Sequence, residues 1–203
     1  MSGFESSDEE GEVDVSPFLI SWLDLGLGEH EDKLAISSLP GCRFKDTWRS
    51  LESDIKCLQA EGVDSVLCLC TKGELNKYRV PGLLSELELA NIDVHHYPYL
   101  DGTAPNIRTM LQIVDEILML VKKGSKPLVH CFGGLGRSCL VAVCTMLVID
   151  ESLTAEQAIE KVRGLRGPGA IQSVQQYNYA CEFRNLCNSY KQEQDENARS
   201  LSR

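Results

Sequence analysis

From about residue 17 the apolar positions follow two alternating rhythms, one of period two and one near 3.6, and each run marks an element. FLISWL (18–23) and LAISS (34–38) read as early strands. TWRSLESDIKCLQAEG (47–62) has helical spacing and stops at Gly62, whereas VDSVLCLC (63–70) is a short apolar run, the mark of a buried strand. VPGLLSELELAN (80–91) predicts a second helix with Pro81 near its start, and DVHHYPYL (93–100) a third inner strand. Over 105–124 the positions Ile107, Met110, Leu111, Val114, Ile117, Leu118 and Val121 keep helical spacing, with Pro105 suited to a first turn and Gly124 to a stop. KPLVHC (126–131) is then a strand and SCLVAVCTMLVI (138–149) an apolar helix. TAEQAIEKVRGLRG (154–167) opens with a capping box of Thr154 and Gln157, and a last helix covers QSVQQYNYACEFRNLC (172–187).

Such alternation predicts an α/β fold, a central and mostly parallel sheet flanked by helices on both faces. A chain of 203 residues suffices for one such domain. The expected organisation is an acidic, disordered tail over 1–16, a domain over 17–190 and a polar C-terminal tail over 191–203, with no internal repeat or linker.

The net charge of −10 sits at one end. Residues 1–32 hold ten of the 30 acids and none of the 20 Lys and Arg residues, so 20 acids balance 20 bases in the remainder. Ser6 and Ser7 stand just before acids and suit an acid-directed kinase, although a merely solvating tail is the favoured reading. No basic face for nucleic acid is legible. No apolar run approaches the roughly 18 residues of a membrane span, and the N-terminus lacks the layout of a signal peptide. The expected location is the cytoplasm, with the perinuclear region or the nucleus as the alternatives. Nine cysteines, without a CxxC pair, favour reduced thiols over a disulfide framework or a zinc ribbon. Cys68 and Cys70 share one face of their strand and read as small core residues.

The chemistry concentrates in HCFGGLGRS (130–138), between a strand and a helix, where active sites of open α/β sheets form. Gly136, Arg137 and Ser138 fall where the last three residues of the nucleotide loop G-x-x-x-x-G-K-[ST] fall, but Cys131 replaces its first glycine and Arg137 its lysine. A dinucleotide fingerprint fails as well, because Cys139 stands where its third glycine belongs. Glycines 133, 134 and 136 let successive backbone N–H groups turn inward, and the following helix adds the positive end of its dipole. The loop amides of Phe132, Gly133, Gly134, Leu135 and Gly136 are thus expected to bind a phosphoryl dianion. The same field favours a thiolate at Cys131, a nucleophile, while Arg137 grips two phosphoryl oxygens and Ser138 donates to the departing sulfur.

HCFGGLGRS resembles the signature loop of the cysteine-dependent protein tyrosine and dual-specificity phosphatases. KGELNKYRVPGLL (72–84), HHYPYLDG (95–102), GGLGRSCLVA (133–142) and GLRGPGAIQSVQQYNYACEFR (164–184) further resemble the cyclin-dependent-kinase-associated branch of that family, from about Phe18 to Asn188. The resemblance implies a protein tyrosine phosphatase-like fold. It also implies removal of phosphate from the activation-segment threonine of a phosphorylated cyclin-dependent kinase, with phosphotyrosine accepted, and neither metal nor other cofactor. Asp101 follows the strand DVHHYPYL and matches the family's general acid; Asp93 opens that strand at the wrong edge, and Asp115 falls on the polar side of the long helix. The Trp-Pro-Asp triplet of the classical tyrosine phosphatases is missing. Gln172 and Gln176 resemble the family's water-positioning segment, and two ordinary polar helix residues are an equal alternative. His130 is expected to orient the loop by hydrogen bonding, and His95 and His96 to be structural. Because residues 132–136 carry no charge, a phosphoprotein is favoured over an inositol lipid. A kinase-binding scaffold with incidental phosphate capture, or a phosphoinositide phosphatase, remain the alternatives.

Overall fold

A computed structural model of the chain describes residues 16–28 and 32–201. The acidic tail, apart from Ser16, lies outside the described residues, as do Ser6 and Ser7. The elements follow in the order β1 (Ile20–Asp24), β2 (Lys33–Ser37), β3 (Arg43–Phe44), β4 (Thr47–Trp48), α1 (Leu51–Ala60), β5 (Ser65–Cys68), α2 (Lys72–Lys77) and α3 (Leu83–Leu89). They continue as β6 (Asp93–His96), α4 (Ile107–Lys122), β7 (Pro127–His130), α5 (Arg137–Ile149), α6 (Ala155–Arg166) and α7 (Val174–Leu201).

The central sheet has the order β1-β2-β7-β5-β6. Only β1 runs antiparallel, against β2; the other pairs are parallel. Period-two alternation splits each inner strand between two cores. Leu34, Ile36, Leu67, Leu69 and Val129 join α4, α5, α6 and α7 on one face, while Ala35, Val66, Cys68, Cys70 and Leu128 join α1 and α3 on the other. Cys68 and Cys70 do share a face. The register sets Ser37, His130, Cys68 and His96 side by side at the carboxyl ends of β2, β7, β5 and β6. Strand β7 is central in the sheet, so its carboxyl end opens at the middle of that edge.

Four local structures depart from the periodicity. Thr47 and Trp48 are not helical but close a hairpin with Arg43 and Phe44. Helix α1 starts only after Ser50, whose extended backbone and side-chain oxygen, accepting from the Ser53 N–H, cap it. The short helix α2 has no counterpart among the expected elements, because six residues are too few to show a period. Helix α7 does not end near Cys187 but continues to Leu201, and every side chain described from Lys191 to Arg199 is exposed.

Candidate active site

Backbone hydrogen bonds from three neighbouring segments hold the loop after β7. Leu69 N–H donates to the His130 carbonyl at 3.1 Å, Leu39 N–H to that of Phe132 at 2.9 Å, and Ile171 N–H to that of Leu135 at 2.9 Å. Gly134 adopts φ +67°, and a Cβ there would fall 2.6 Å from the Ser37 carbonyl, so only glycine fits. Its own carbonyl accepts from Arg166 Nε at 3.1 Å and from the Cys139 thiol at 3.4 Å. Gly136 caps α5 without a side chain, so no side chain competes for that helix's first N–H groups.

At the base of this loop Cys131 is buried, with its Sγ 3.3 Å from Ser138 Oγ. Arg137 is fully buried and almost completely clamped. Its Nη1 donates to the carbonyls of Leu69 (3.1 Å) and Tyr99 (2.8 Å) and to Glu74 Oε2 (2.9 Å), and its Nη2 to Glu74 Oε1 (2.6 Å). Burial is the largest single influence and opposes the arginine's charge, but the Glu74 hydrogen bonds together with the charge interactions of Cys131, Cys70 and Glu74 outweigh it and raise its pKa further. Burial likewise opposes ionisation of Glu74, and the bonds from Arg137 and from the Thr71 backbone hold its carboxyl below the usual range. One nitrogen is left over. Arg137 Nε has no hydrogen-bond partner, and the Asp101 carboxylate beside it, Oδ1 at 3.2 Å, makes an ion pair without hydrogen-bond alignment. Asp101 itself is half exposed, in a turn before Gly102 at φ +74°.

The two glutamines differ. Gln176 is fully buried, donates to the Thr103 carbonyl at 3.3 Å and accepts from the Gln172 N–H at 3.1 Å. Gln172 is an exposed residue just before α7, not on it. Both amides nonetheless crowd Gly136, where a Cβ would stand 2.9 Å from Gln172 Oε1 and 3.1 Å from Gln176 Nε2. Ser173 Oγ donates to the Gly102 carbonyl at 2.7 Å, so the start of α7 touches both the Asp101 turn and the cysteine loop. Phe132 leaves the loop on the other side, stacked on Tyr78 at 4.1 Å with Phe44 edge-on to both.

The expectation for His130 is corrected: neither buried ring nitrogen has a hydrogen-bond partner, and the residue acts on the loop through its backbone. It stands beside Cys70, whose thiol is pushed up by Cys68 and by burial against the pull of His130. His96 Nε2 meets the Cys70 carbonyl at 2.8 Å, and His95 Nδ1 lies 3.4 Å from Glu116, both contacts within the fold. Asp93 and Asp115 are exposed away from the loop, at the start of β6 and on α4. A concavity of about 910 Å³ between β1 and the α5–α6 connection contains none of the loop residues.

Glu74 escaped the reading of the sequence, and so did Arg166 and Tyr99, whose hydroxyl donates to the Arg137 carbonyl at 3.3 Å. A signal for Glu74 was present. Thr71-x-x-Glu74 is a capping box, with Thr71 Oγ1 accepting from Glu74 N–H at 3.2 Å while the carboxylate returns to Thr71 N–H at 2.8 Å.

Comparison with known proteins agrees with this geometry. The family profile for cyclin-dependent kinase inhibitor 3 (CDKN3) matches residues 1–159. The proteins named cyclin-dependent kinase inhibitor 3 from Rattus norvegicus and Homo sapiens are each 44% identical over the whole chain and 96% of their own lengths. A crystal structure of kinase associated phosphatase, with serine substituted for its catalytic cysteine, superposes with a TM-score of 0.81 at 44% identity, covering 85% of this chain and 97% of that one. The protein Tk-PTP in its active form superposes at 0.61 with 31% identity, over 75% of this chain and 90% of that chain. The chain therefore belongs to the cyclin-dependent kinase inhibitor 3 family and is a cysteine-dependent dual-specificity phosphatase with the protein tyrosine phosphatase fold.

Proposed function

We propose that the chain removes phosphate from threonine, serine and tyrosine of a phosphorylated cyclin-dependent kinase, at its activation segment, through a phosphocysteine. One observation carries the reading: the Cys131 sulfur lies beside Ser138 at the base of a glycine loop, next to an arginine held by Glu74 and two backbone carbonyls, whose Nε has no hydrogen-bond partner. Cys131 attacks phosphorus in line, and the bond from phosphorus to the leaving oxygen breaks as Asp101 hands that oxygen its proton. Loop amides from Phe132 to Gly136 and the guanidinium hold the three equatorial oxygens as they flatten. Asp101 swings from Arg137 Nε to the leaving oxygen when a phosphoryl oxygen takes its place. In the second step Asp101 accepts a proton from a water held between Gln172 and Gln176, the water oxygen displaces sulfur, and Ser138 donates to the thiolate that returns.

The kinase as substrate is supported by the names and full-length similarity of the relatives. A phosphoprotein is favoured over an inositol lipid by the uncharged loop. Phosphate release by the purified chain from a phosphorylated, cyclin-free kinase, compared with release from a phosphoinositide, tests both points. Faster turnover of the lipid would refute the assignment, and kinase binding without turnover would make the protein a scaffold.

A further inference from the structure

The segment that leads into β1 carries a feature that the phosphatase chemistry does not use. Of the seven prolines only Pro17 follows a serine or threonine, so Ser16-Pro17 is the one such dipeptide in the chain. Both residues are exposed, and residues 16–19 form neither helix nor strand. Proline lacks an N–H and disfavours a helical residue before it, and kinases that read a proline after the acceptor hydroxyl exploit this conformation. Leu19, not a basic residue, stands three positions after Ser16, so proline is the determinant on offer.

Behind Ser16 lies a built cationic seat. Arg49 and Asp54 form a buried pair, with Arg49 Nε 3.1 and 3.0 Å from the two carboxylate oxygens and Nη2 2.7 Å from Oδ1. Asp54 Oδ2 also accepts from the Gly41 N–H at 2.8 Å, which fixes the carboxylate from the far side. The edge of the guanidinium turned away from Asp54 faces Ser16: Nη2 donates to its carbonyl at 3.0 Å and Nη1 to its hydroxyl at 3.4 Å. Phe18 is buried under the same guanidinium at 5.2 Å, so the segment is anchored two residues beyond the acceptor.

We propose that Ser16 is a phosphorylation site for a proline-directed protein kinase, and that Arg49 holds the resulting phosphoserine and pins the segment entering β1. In the transfer Ser16 Oγ bonds to the γ-phosphorus of ATP and loses its proton to the kinase's base, while the bond to the β–γ bridging oxygen breaks and ADP leaves. A dianion on Oγ then replaces an uncharged acceptor, 3.4 Å from Nη1, by phosphoryl oxygens that form charge-assisted hydrogen bonds with the guanidinium. The proposal does not depend on the phosphatase activity of the chain.

The test uses the full chain, incubated with a mitogen-activated protein kinase and MgATP, with vanadate present to block phosphate removal, and the modified residue is located by mass spectrometry. Label is expected at residue 16, absent from Ser16→Ala and at least about tenfold slower to appear in Pro17→Ala. No label at Ser16, or undiminished labelling of Pro17→Ala, overturns the site. The role of Arg49 is read by ³¹P titration of the labelled chain: the second phosphate ionisation, at about 6 in a free phosphoserine, is expected to fall lower in the folded chain than in urea. Equal values in the two states overturn that role. Because removing Arg49 strands a buried carboxylate, the supporting variant is Arg49→Lys, in which the downward shift is expected to shrink.

Discussion

Within the loop, each side chain has one contact that decides what its loss would do. On the proposed mechanism, replacing Cys131 by serine removes the nucleophile, and turnover of a phosphopeptide is expected to fall on the order of 10⁴-fold or more, with kinase binding retained. Asp101→Ala should slow hydrolysis of phosphothreonine by about 10²- to 10⁴-fold. Its effect on para-nitrophenyl phosphate, whose leaving oxygen needs no proton, should be much smaller. That contrast in stopped assays separates an acid from a structural aspartate. On the same mechanism, Ser138→Ala leaves the departing sulfur without the hydroxyl now 3.3 Å away. The second step is then expected to slow by about tenfold or more, seen as a burst of phenolate followed by slow turnover. Cys131, Arg137 and the glycines announce themselves because phosphate chemistry demands these residue types at fixed spacing. Glu74 does not, because a carboxylate 63 positions before Arg137 is an ordinary surface residue until the fold brings the two together.

Short elements carry more of the site than their length suggests. Helix α2 has only six residues, yet it fixes the partner of the buried arginine, and its start depends on the Thr71–Glu74 box. Glu74→Ala leaves a fully buried guanidinium short of its carboxylate and is expected to cost about 3 kcal/mol in urea unfolding, with a raised KM for phosphopeptide. Gly134→Ala places a Cβ against the Ser37 backbone at positive φ, so both stability and activity should drop in the same unfolding and turnover assays. Long, periodic α4 and α5 are legible from pattern alone, since burial along one face or all round imposes it. Six-residue α2 and the two-residue strands β3 and β4 are not: they are held by capping, by the Lys45 turn at φ +53°, and by packing of Phe44 on Tyr78 and Phe132.

At the scale of the whole molecule, the buried charges set an acid limit to stability. The pKa of Glu74 is lower in the folded chain than its ordinary 4.5, so its stabilisation is complete above pH 4.5 and is lost as pH falls through the folded value. Urea midpoints should drop between pH 5.5 and pH 3.5, and Glu74→Gln should show a shallower drop. The far end of α7 contributes nothing to the core, because every described side chain from Lys191 to Arg199 is exposed. Truncation after Tyr190 is therefore expected to leave Tm and para-nitrophenyl phosphate turnover within error of the full chain.

The alternation of strands and helices, the cysteine at the head of a glycine loop, the arginine six residues on and the aspartate after a strand are local patterns. Local rules of periodicity, turn chemistry and nucleophile activation therefore read them directly from the residues. The order of the strands, the choice of Glu74 as counterion, the burial of Gln176 with exposure of Gln172, and the latch of Ser16 on Arg49 appear only in three dimensions. They depend on contacts between distant segments, and the free energy of such contacts comes from burial and geometry that no single stretch of chain contains.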